Sequence, residues 1–436
     1  MRFHKVMTCV FMATVMGFAA TAQDLPKASP ERMEAWIMGL AEFGKNADGG
    51  VDRVAYTDAD LAGRAYIIRE LEKLGLSVRI DAAANIFARR AGTDNSLQPI
   101  MFGSHTDSVP GGGNYDGPAG VISAMEAIKL MNDAGHTTKH PLELVIFSNE
   151  EGGLVGSLAM TGKLKQSALD VVNASGKTIR DGTRFIGGDP DKLDSAVVER
   201  GTYKAFIELH IEQGAFLHEG GIDIGVVEGI VGIGWWDVVI EGFANHAGTT
   251  PMNRRQDAMV AAAKLTLAVN EVAITNAGRQ VATVGRIEAF PGAPNVIPGR
   301  VEMSLEIRDL QQAKIDSVFA LIEARAKMIA EETDTKISFS YVDVASAPAP
   351  TDERMRELIA GSARFNGYSN MLMPSGAGHD AQDMVHIAPT GMIFVPSVGG
   401  ISHSPNEFTP ADALAKGADV LARTILAIDA GGLDMH

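Results

Sequence analysis

Cysteine is almost absent from this chain of 436 residues. The one cysteine, Cys9, lies in the N-terminal segment, so the chain after residue 22 carries no thiol. This absence excludes disulfide bonds and thiol nucleophiles from that part of the chain. It also leaves oxygen and nitrogen atoms as the side-chain ligands for any metal ion.

Basic residues and long apolar runs are also scarce. The chain has 38 Lys and Arg against 54 Asp and Glu, a formal net charge of −16, which disfavours nucleic acid as a partner. No repeat of 20 to 50 residues is visible, so a solenoid is not expected. After the N-terminal segment, no stretch is expected to cross a membrane.

The N-terminal segment has the pattern of a secretory signal peptide. A basic start, "MRFHK", precedes the apolar run "VMTCVFMATVMGFAA", and Ala20-Thr21-Ala22 is a small-x-small cleavage pattern. We therefore predict a signal peptide over residues 1–22, cleavage before Gln23, and export to the periplasm. The alternative is an uncleaved membrane anchor, but the run is shorter than the roughly 20 residues that a span needs.

The chain then alternates between helix-like and strand-like segments, which predicts an α/β fold with a helix-covered sheet. Three apolar segments are predicted as buried strands: "PIMFGSH", "LELVIFS" and "YKAFIELHIEQG". Each of them ends in a polar cluster. Because ligand sites in open α/β sheets lie outside the carboxyl ends of the strands, we expect these clusters to belong to one site.

A different pattern runs from Gly232 to Val344. Alternating and helical segments follow one another in the order β-α-β-β-α-β, which is typical of a ferredoxin-like unit. The segment "SAPAPTD" (residues 346–352) is then predicted as a linker. We expect a catalytic domain formed by residues 23–230 and 346–436, interrupted by an inserted lid domain over residues 231–345.

The polar clusters contain imidazoles and carboxylates, the ligands that zinc and similar transition metals use. Their number fits two metal ions that share one carboxylate. The residues concerned are His105, Asp107, Asp116, Glu150, Glu151, His210 and His403.

Spacing suggests roles for some of these residues. Asp107 follows His105 by two positions, so in an extended segment its carboxylate can accept the second ring N–H of the histidine. Adjacent Glu150 and Glu151 diverge, so one can bind metal while the other acts as general base. Each motif alone is also compatible with a turn or a surface loop. Their common position after predicted strands is what favours a site.

Several motifs resemble the M20-type metallopeptidase superfamily, and within it the amidase (hydantoinase/carbamoylase) branch of N-carbamoyl-L-amino acid hydrolases and allantoate amidohydrolases. The resemblance implies a mixed-sheet, zinc-aminopeptidase-like catalytic domain with an inserted ferredoxin-like (βαββαβ) lid and dimerisation domain. The motifs span residues 103 to 409 and are "GSHTDSVPGGGNYDGPAG", "SNEEGGLVGSLAMTG", "ELHIEQG", "GFANHAGTTPMNRRQDA", "PNVIPGRVEMSLEIRD", "PSGAGHDAQDM" and "ISHSPNEFT".

The resemblance implies two divalent metal ions, either zinc or manganese or cobalt. Glu150 would be the general base, and Asp107 would orient one of the histidine ligands. The implied metal ligands are Asp116 as the bridging carboxylate, Glu151 and His403 at one ion, and His105 and His210 at the other.

Substrate contacts are implied in the same way. Arg308 and Asn295 would grip a substrate carboxylate, and a planar guanidinium suits that partner. Gln213 and the backbone of Gly378 would hold other polar groups. His246 would stabilise the oxyanion, across the interface of a homodimer formed through the lid domain.

The predicted activity is hydrolysis of the C–N bond of an N-carbamoyl-L-amino acid or a related ureido acid by metal-activated water. Allantoate or ureidoglycolate-type substrates, and N-acyl amino acids or dipeptides, remain alternatives. A catalytically inactive periplasmic binding protein is the alternative from another class. One departure from the branch leaves the substrate side chain open, because "GLVGSLAMTG" directly follows "EEG" in place of an aromatic or basic residue and a longer loop.

Overall fold

Two large β-sheets organise the chain in a computed structural model, which describes residues 25–342 and 347–434. A small two-stranded sheet pairs Asn245–His246 with Val296–Ile297. The predicted signal peptide over residues 1–22 lies outside the described residues. The strands are β1 (Ser77–Ile80), β2 (Ile86–Arg90), β3 (Ile100–His105), β4 (Leu142–Phe147), β5 (Ala205–Ile211), β6 (Ile224–Ile230), β7 (Gly232–Glu241), β8 (Asn245–His246), β9 (Val281–Thr283), β10 (Ile287–Phe290), β11 (Val296–Ile297), β12 (Arg300–Asp309), β13 (Lys336–Val342), β14 (Ala349–Pro350), β15 (Asn370–Ser375) and β16 (Thr390–Val395).

Helices cover these sheets. The α-helices are α1 (Pro30–Ala41), α2 (Asp58–Lys73), α3 (Pro118–Asp133), α4 (Val155–Met160), α5 (Ile179–Phe185), α6 (Phe216–Gly220), α7 (Ala258–Thr275), α8 (Gln312–Thr333), α9 (Glu353–Phe365), α10 (Ala381–Met384) and α11 (Ala411–Asp429). Several begin after residues of the types that commonly cap helices, such as Thr57 before α2 and Asp352 before α9, whose side chains accept backbone N–H groups of the first turn.

The first sheet is mixed and has nine strands, in the order β1-β2-β4-β3-β5-β16-β6-β14, with β15 beside β6. Every residue of β3, β4 and β5 is buried. Continuous burial requires cover on both faces, which explains why these strands read as unbroken apolar runs and not as alternating ones. A mixed α/β architecture is thus confirmed, with the three predicted strands placed within a few residues.

The strands β3, β4 and β5 run parallel, so their carboxyl ends meet at one edge of the sheet. His105 is the last residue of β3, and His210 is the last but one of β5. Glu150 and Glu151 follow β4 after a short turn. The sheet therefore brings together polar residues that lie up to 105 positions apart in sequence, His105 and His210.

The second sheet is antiparallel, in the order β10-β12-β7-β13, with β9 also paired to β12. Helices α7 and α8 pack on it around a separate apolar core that includes Val238, Leu265 and Ile322. The sequence predicted one strand over "VATVGRIEA". That prediction was wrong, because the segment forms two short strands, β9 and β10.

Helix α7 corrects the expectation that no later stretch could cross a membrane. It has 18 residues and a mean hydropathy of 1.4, which suffices for a span by length and composition. In the structure seven residues of the helix, among them Ala262, Leu265 and Val269, are buried against the second sheet, whereas Leu267 and Ile274 are exposed. Packing in the core therefore explains part of its apolar composition.

Part of the predicted linker is a strand. Ala349 and Pro350 pair with Ile230 and Gly229 of β6 and extend the first sheet at its edge. A proline is tolerated there because an edge strand leaves some of its N–H positions without a partner. The chain thus rejoins the first sheet directly after the second one.

Candidate metal centre

Three side chains meet at the carboxyl edge of the first sheet. His105 Nε2 lies 3.6 Å from Asp116 Oδ1, and His210 Nε2 lies 3.1 Å from the same oxygen. One ligand atom from each residue lies within 4.8 Å of the others, a spacing that can surround one cation. We call His105, Asp116 and His210 the first trio.

A second trio consists of Asp116, Glu151 and His403. His403 Nε2 lies 3.3 Å from Asp116 Oδ2 and 3.5 Å from Glu151 Oε2. Their ligand atoms also lie within 4.8 Å of one another. Because Asp116 turns Oδ1 to one trio and Oδ2 to the other, a single carboxylate is shared by both.

The tautomers of the two buried histidines direct Nε2 at Asp116. His105 Nδ1 lies 3.1 Å from the Asp107 carbonyl, and His210 Nδ1 lies 2.9 Å from the Ile211 carbonyl. A carbonyl only accepts, so each Nδ1 carries the proton and each Nε2 presents a lone pair. This is the usual arrangement behind histidine ligands of metals.

Unpartnered buried atoms show that these residues fit a cation. His105 Nε2 and Glu151 Oε1 are buried and have no hydrogen-bond partner among the described residues. Each such atom costs about 1–3 kcal/mol unless something satisfies it. Imidazole nitrogens and carboxylate oxygens together suit zinc, manganese or cobalt.

The electrostatics of the cluster favour positive charge. Burial lowers the pKa of His105, but the negative charges of Glu150 and of nearby Asp116 outweigh it and raise the pKa well above its usual value. Burial raises the pKa of Asp116, yet the charge of His210 and hydrogen bonds from imidazoles bring it well below its usual range. Hydrogen bonding to Asp116 raises the pKa of His403 to about 9. The same field attracts divalent cations.

Glu150 and Glu151 occupy different positions in the cluster. Glu151 belongs to the second trio, and burial together with the charge of Asp116 raises its pKa to about 7. Glu150 lies outside both trios, with Oε2 at 3.7 Å from His105 Nε2. Burial raises the pKa of Glu150 well above its usual value, and the charge of Asp380 adds to that effect. The structure thus gives different positions to Glu150 and Glu151, whose separate roles the sequence spacing had left open.

The Asp107 carboxylate does not make the contact with His105 that the sequence spacing predicted. Strand β3 ends at His105, so the two side chains do not share an extended segment. The Asp107 carboxylate lies 3.7 Å from His105 Nδ1, beyond hydrogen-bonding distance, whereas its backbone carbonyl lies at 3.1 Å. The carboxylate oxygens accept the backbone N–H groups of Glu150 and Glu151, each at 3.2 Å. Asp107 therefore positions the glutamate pair.

Gly117 leaves space for the ring of His105. Its φ is +80°, and a Cβ there would lie 2.4 Å from His105 Nδ1. We expect Gly117→Ala to displace the ring, to weaken cation binding by about 10- to 100-fold and to lower activity accordingly. Calorimetric titration with Zn²⁺ measures this effect.

Gly111→Ala is the matched control for that substitution. Gly111 lies in the same loop with φ +65°, and no atom lies within 4 Å of its Cβ position. Both variants place an alanine at positive φ, but Gly117 with ψ −58° lies outside the left-handed helical region, so the strain at Gly117 has to be measured separately, from the stability of each variant. Equal cation affinity in the two variants would contradict the steric role of Gly117.

The predicted substrate residues are placed in two regions. Gln213 lies in the cluster, with Nε2 donating to Asp116 Oδ2 at 2.6 Å. Arg308 lies on β12 and donates to both carboxylate oxygens of Glu306 at 2.8 and 3.2 Å. Its Nη1 also donates to the carbonyl of Gly376 at 2.7 Å, a contact that joins the second sheet to the loop after β15.

His246, Asn295 and Gly378 are exposed and make no hydrogen bond to either trio within the described parts of the chain. His246 Nδ1 accepts the N–H groups of Gly248 and Thr249 at 3.0 and 3.2 Å. Its Nε2 therefore carries the proton and is a free donor on the surface of the second sheet's unit.

Sequence reasoning missed two residues that hold the site in place. Arg53 is fully buried and donates to the carbonyls of Thr106, Leu40 and Phe43, fixing the backbone next to His105. Burial lowers its pKa to about 10. No pattern in the sequence marks Arg53. Glu407, the second of these residues, stands inside the quoted motif "ISHSPNEFT", so that motif contained the signal.

Comparisons with known proteins agree with this geometry. A family model described as "Peptidase family M20/M25/M40" matches residues 101–427. The chain is 40% identical to an N-carbamoyl-L-amino acid amidohydrolase of Geobacillus stearothermophilus over 400 residues, covering 91% of this chain and 97% of that protein.

Two further relatives extend the comparison. An allantoate amidohydrolase of Bacillus subtilis (strain 168) is 36% identical, over 88% of this chain and 94% of that protein. The crystal structure of an amidase of the hydantoinase/carbamoylase family from Burkholderia multivorans matches with a TM-score of 0.85 and 34% identity. That match covers 92% of this chain and 98% of the other.

Proposed function

We propose that this chain hydrolyses the C–N bond of an N-carbamoyl-L-amino acid. The chain belongs to peptidase family M20/M25/M40 and, within it, to the hydantoinase/carbamoylase amidases. The observation that carries this proposal is the sharing of Asp116 by two trios of ligand atoms with Glu150 beside them. Products would be the free amino acid, ammonia and carbon dioxide, from one substrate and one water.

The residues divide the chemistry among themselves. His105, Asp116 and His210 would hold one divalent cation, and Asp116, Glu151 and His403 would hold the other. The cations, when bound, supply Lewis-acid activation of water. Glu150 takes the proton of the attacking water and passes it to the leaving nitrogen, and burial raises its pKa, which favours acceptance of the proton.

Residues of the second sheet would bind the substrate. The Nε2–H of His246 is a free donor of the kind that stabilises an oxyanion. Glu306 accepts from Nε and Nη2 of the Arg308 guanidinium, and the Gly376 carbonyl accepts from Nη1, which leaves one N–H of Nη1 and one of Nη2 for a substrate carboxylate. Asn295 and the backbone of Gly378 complete the proposed contacts.

Arg308→Ala is expected to raise KM for a substrate with a carboxylate by about 10- to 150-fold and to change kcat less. The reason is the loss of about 1.5–3 kcal/mol from hydrogen bonds to a charged group that are made in the ground state and the transition state alike. Steady-state kinetics with an N-carbamoyl amino acid and with its amide analogue measures the effect, which should vanish for the amide.

Arg300→Ala is the matched control, because Arg300 lies on the same strand and pairs with Glu302 at 3.1 and 2.9 Å. It lacks the contact to the loop at Gly376 that Arg308 makes. The same rise in KM in both variants would refute a specific role for Arg308 in carboxylate binding.

The second sheet with α7 and α8 is proposed as a ferredoxin-like lid and dimerisation domain over residues 231–345, inserted between the catalytic segments 23–230 and 346–436. Support comes from the strand order β13-β7-β12-β10 with both helices packed on the sheet. Strand β13 is an open edge beside a cavity of about 500 Å³ lined by Trp236, Phe319 and Tyr341, which suits a second copy of the chain. Export to the periplasm is proposed from the N-terminal sequence.

The same site also accommodates a second candidate, hydrolysis of allantoate or another ureido acid such as ureidoglycolate, which the similarity to an allantoate amidohydrolase favours. The test is an assay of mature, cation-loaded protein on N-carbamoyl amino acids, allantoate, ureidoglycolate and N-acyl amino acids or dipeptides. Amino-acid and ammonia release from N-carbamoyl substrates supports the proposal. Release from another substrate alone, or binding without turnover as in a binding protein, would replace it.

A further inference from the structure

We propose that Glu407 is the positioning residue that holds the second trio together, by tying the loop of Asp116 to the loop of His403. The proposal rests on the cation sites of the proposed function but not on the identity of the substrate. Glu407 itself is not a member of either trio, and it is buried.

One carboxylate oxygen of Glu407 fixes the loop that carries the shared ligand. Oε1 accepts the backbone N–H of Tyr115 at 2.8 Å and that of Asp116 at 2.9 Å. Two adjacent N–H groups that converge on one anionic oxygen define the direction of the peptide. The backbone of Asp116 is therefore set by a residue 291 positions away in sequence.

The other oxygen fixes the loop of the second ligand. Oε2 accepts the backbone N–H of His403 at 3.3 Å and lies 2.9 Å from Ser402 Oγ. The same hydroxyl lies 2.9 Å from Asp116 Oδ2, the oxygen that faces the second trio. Glu407 thus contacts both loops directly and once more through Ser402.

The backbone of His403 needs such a contact. Its φ is +53°, in the left-handed region that residues with a side chain disfavour. Strained conformations of this kind persist when the surroundings determine them. The hydrogen bond from the His403 N–H to Glu407 is one such determinant, so its loss should let His403 relax away from Asp116 and Glu151.

The loop before Asp116 is shaped around Glu407. A Cβ at Gly113 would lie 2.4 Å from both Cβ and Oε1 of Glu407. A glycine at this position lets the backbone pass close to the buried carboxylate. The close fit between the loop before Asp116 and the Glu407 side chain indicates that this contact is specific.

Two of the three ligands of the first trio are held without Glu407. His105 and His210 lie on β3 and β5, which are fixed by the ladders of the first sheet, and their rings are oriented by backbone carbonyls. The geometry therefore predicts that loss of the Oε2 contact to His403, with the Oε1 contact to Asp116 kept, affects one cation and spares the other.

Glu407→Gln tests this prediction. The amide keeps one carbonyl oxygen for Tyr115 and Asp116 but turns an NH₂ group towards the N–H of His403, so two donors face each other. We expect calorimetric titration with Zn²⁺ to show an unchanged first dissociation constant and a second one raised by about 10- to 100-fold. Metal analysis after gel filtration should give about two ions in the wild type and about one in the variant, as in a His403→Ala reference.

Asp429→Asn is the matched control. The Asp429 carboxylate also accepts two adjacent backbone N–H groups from a distant loop, those of Lys139 and His140, at 2.9 and 2.7 Å. That loop precedes β4, at the end of the sheet opposite the trios. The control should lose comparable thermal stability and keep both cations.

Two cations of wild-type affinity in Glu407→Gln would overturn the proposal. If Glu407→Gln does not fold, Ser402→Ala removes the hydroxyl link with little effect on packing, and an unchanged second dissociation constant there overturns it equally. A wild type that itself binds fewer than two cations would instead refute the cation pair of the proposed function, and the inference would fall with it.

Discussion

Glu150→Gln is expected to lower kcat by about 10²- to 10⁴-fold while both cations stay bound. The glutamine cannot take a proton from water, and Glu150 belongs to neither trio of ligand atoms, so the loss should be confined to proton transfer. Turnover of an N-carbamoyl amino acid measures the loss in kcat. Metal analysis of the same sample shows whether both cations stay bound.

The neighbouring Glu151→Gln serves as the contrast, because the two residues are adjacent but only Glu151 lies in the second trio. We expect Glu151→Gln to lose one cation and Glu150→Gln to lose none. Near-normal turnover in Glu150→Gln would refute the general base. Loss of a cation in that variant would show that Glu150 is a ligand.

Removal of the cations by a chelator is expected to abolish activity and to lower the unfolding temperature. Without a cation, His105 Nε2 and Glu151 Oε1 have no partner among the described residues. A ligand that binds the folded state alone at 1,000 times its dissociation constant stabilises it by about 4.1 kcal/mol. Zinc, manganese or cobalt added back should restore both activity and stability.

Asp116→Ala should have the same effect as removal of the cations, because one oxygen of the Asp116 carboxylate faces the first trio and the other faces the second. This variant should bind neither cation tightly, and added metal should not restore its activity. Asp429→Asn, which changes an aspartate far from the trios, should respond to chelation and reloading as the wild type does. Chelated wild type that keeps full activity would contradict a role for cations in the reaction.

The parallel strands explain why so much of the site could be predicted. The unbroken apolar runs that end at His105 and just after His210 indicated buried strands. Because the carboxyl ends of parallel strands meet at one edge of a sheet, the residues at those ends could be expected to lie together. The quoted motifs then named the family, which the similarity to known amidases confirms. Local pattern and strand direction suffice for this level of inference.

Contacts between distant segments could not be predicted in the same way. The hydrogen bond from Arg308 to the carbonyl of Gly376 depends on how the second sheet lies against the first. The apolar composition of α7 gave no sign of whether a membrane or a sheet would cover it, since both remove the same surface from water.

The sequence by itself determined the α/β class and the buried strands β3, β4 and β5, because burial and local conformation leave periodic patterns along a chain. Its motifs indicated the ligand types and, by resemblance, the family. The tertiary structure decided that both oxygens of Asp116 face a trio, that Asp107 holds the glutamate pair and that Glu407 joins two loops. Those facts depend on distances between atoms of residues up to 292 positions apart, fixed by the order of strands in a sheet and by the packing of loops beyond it. No periodicity along the chain records such distances.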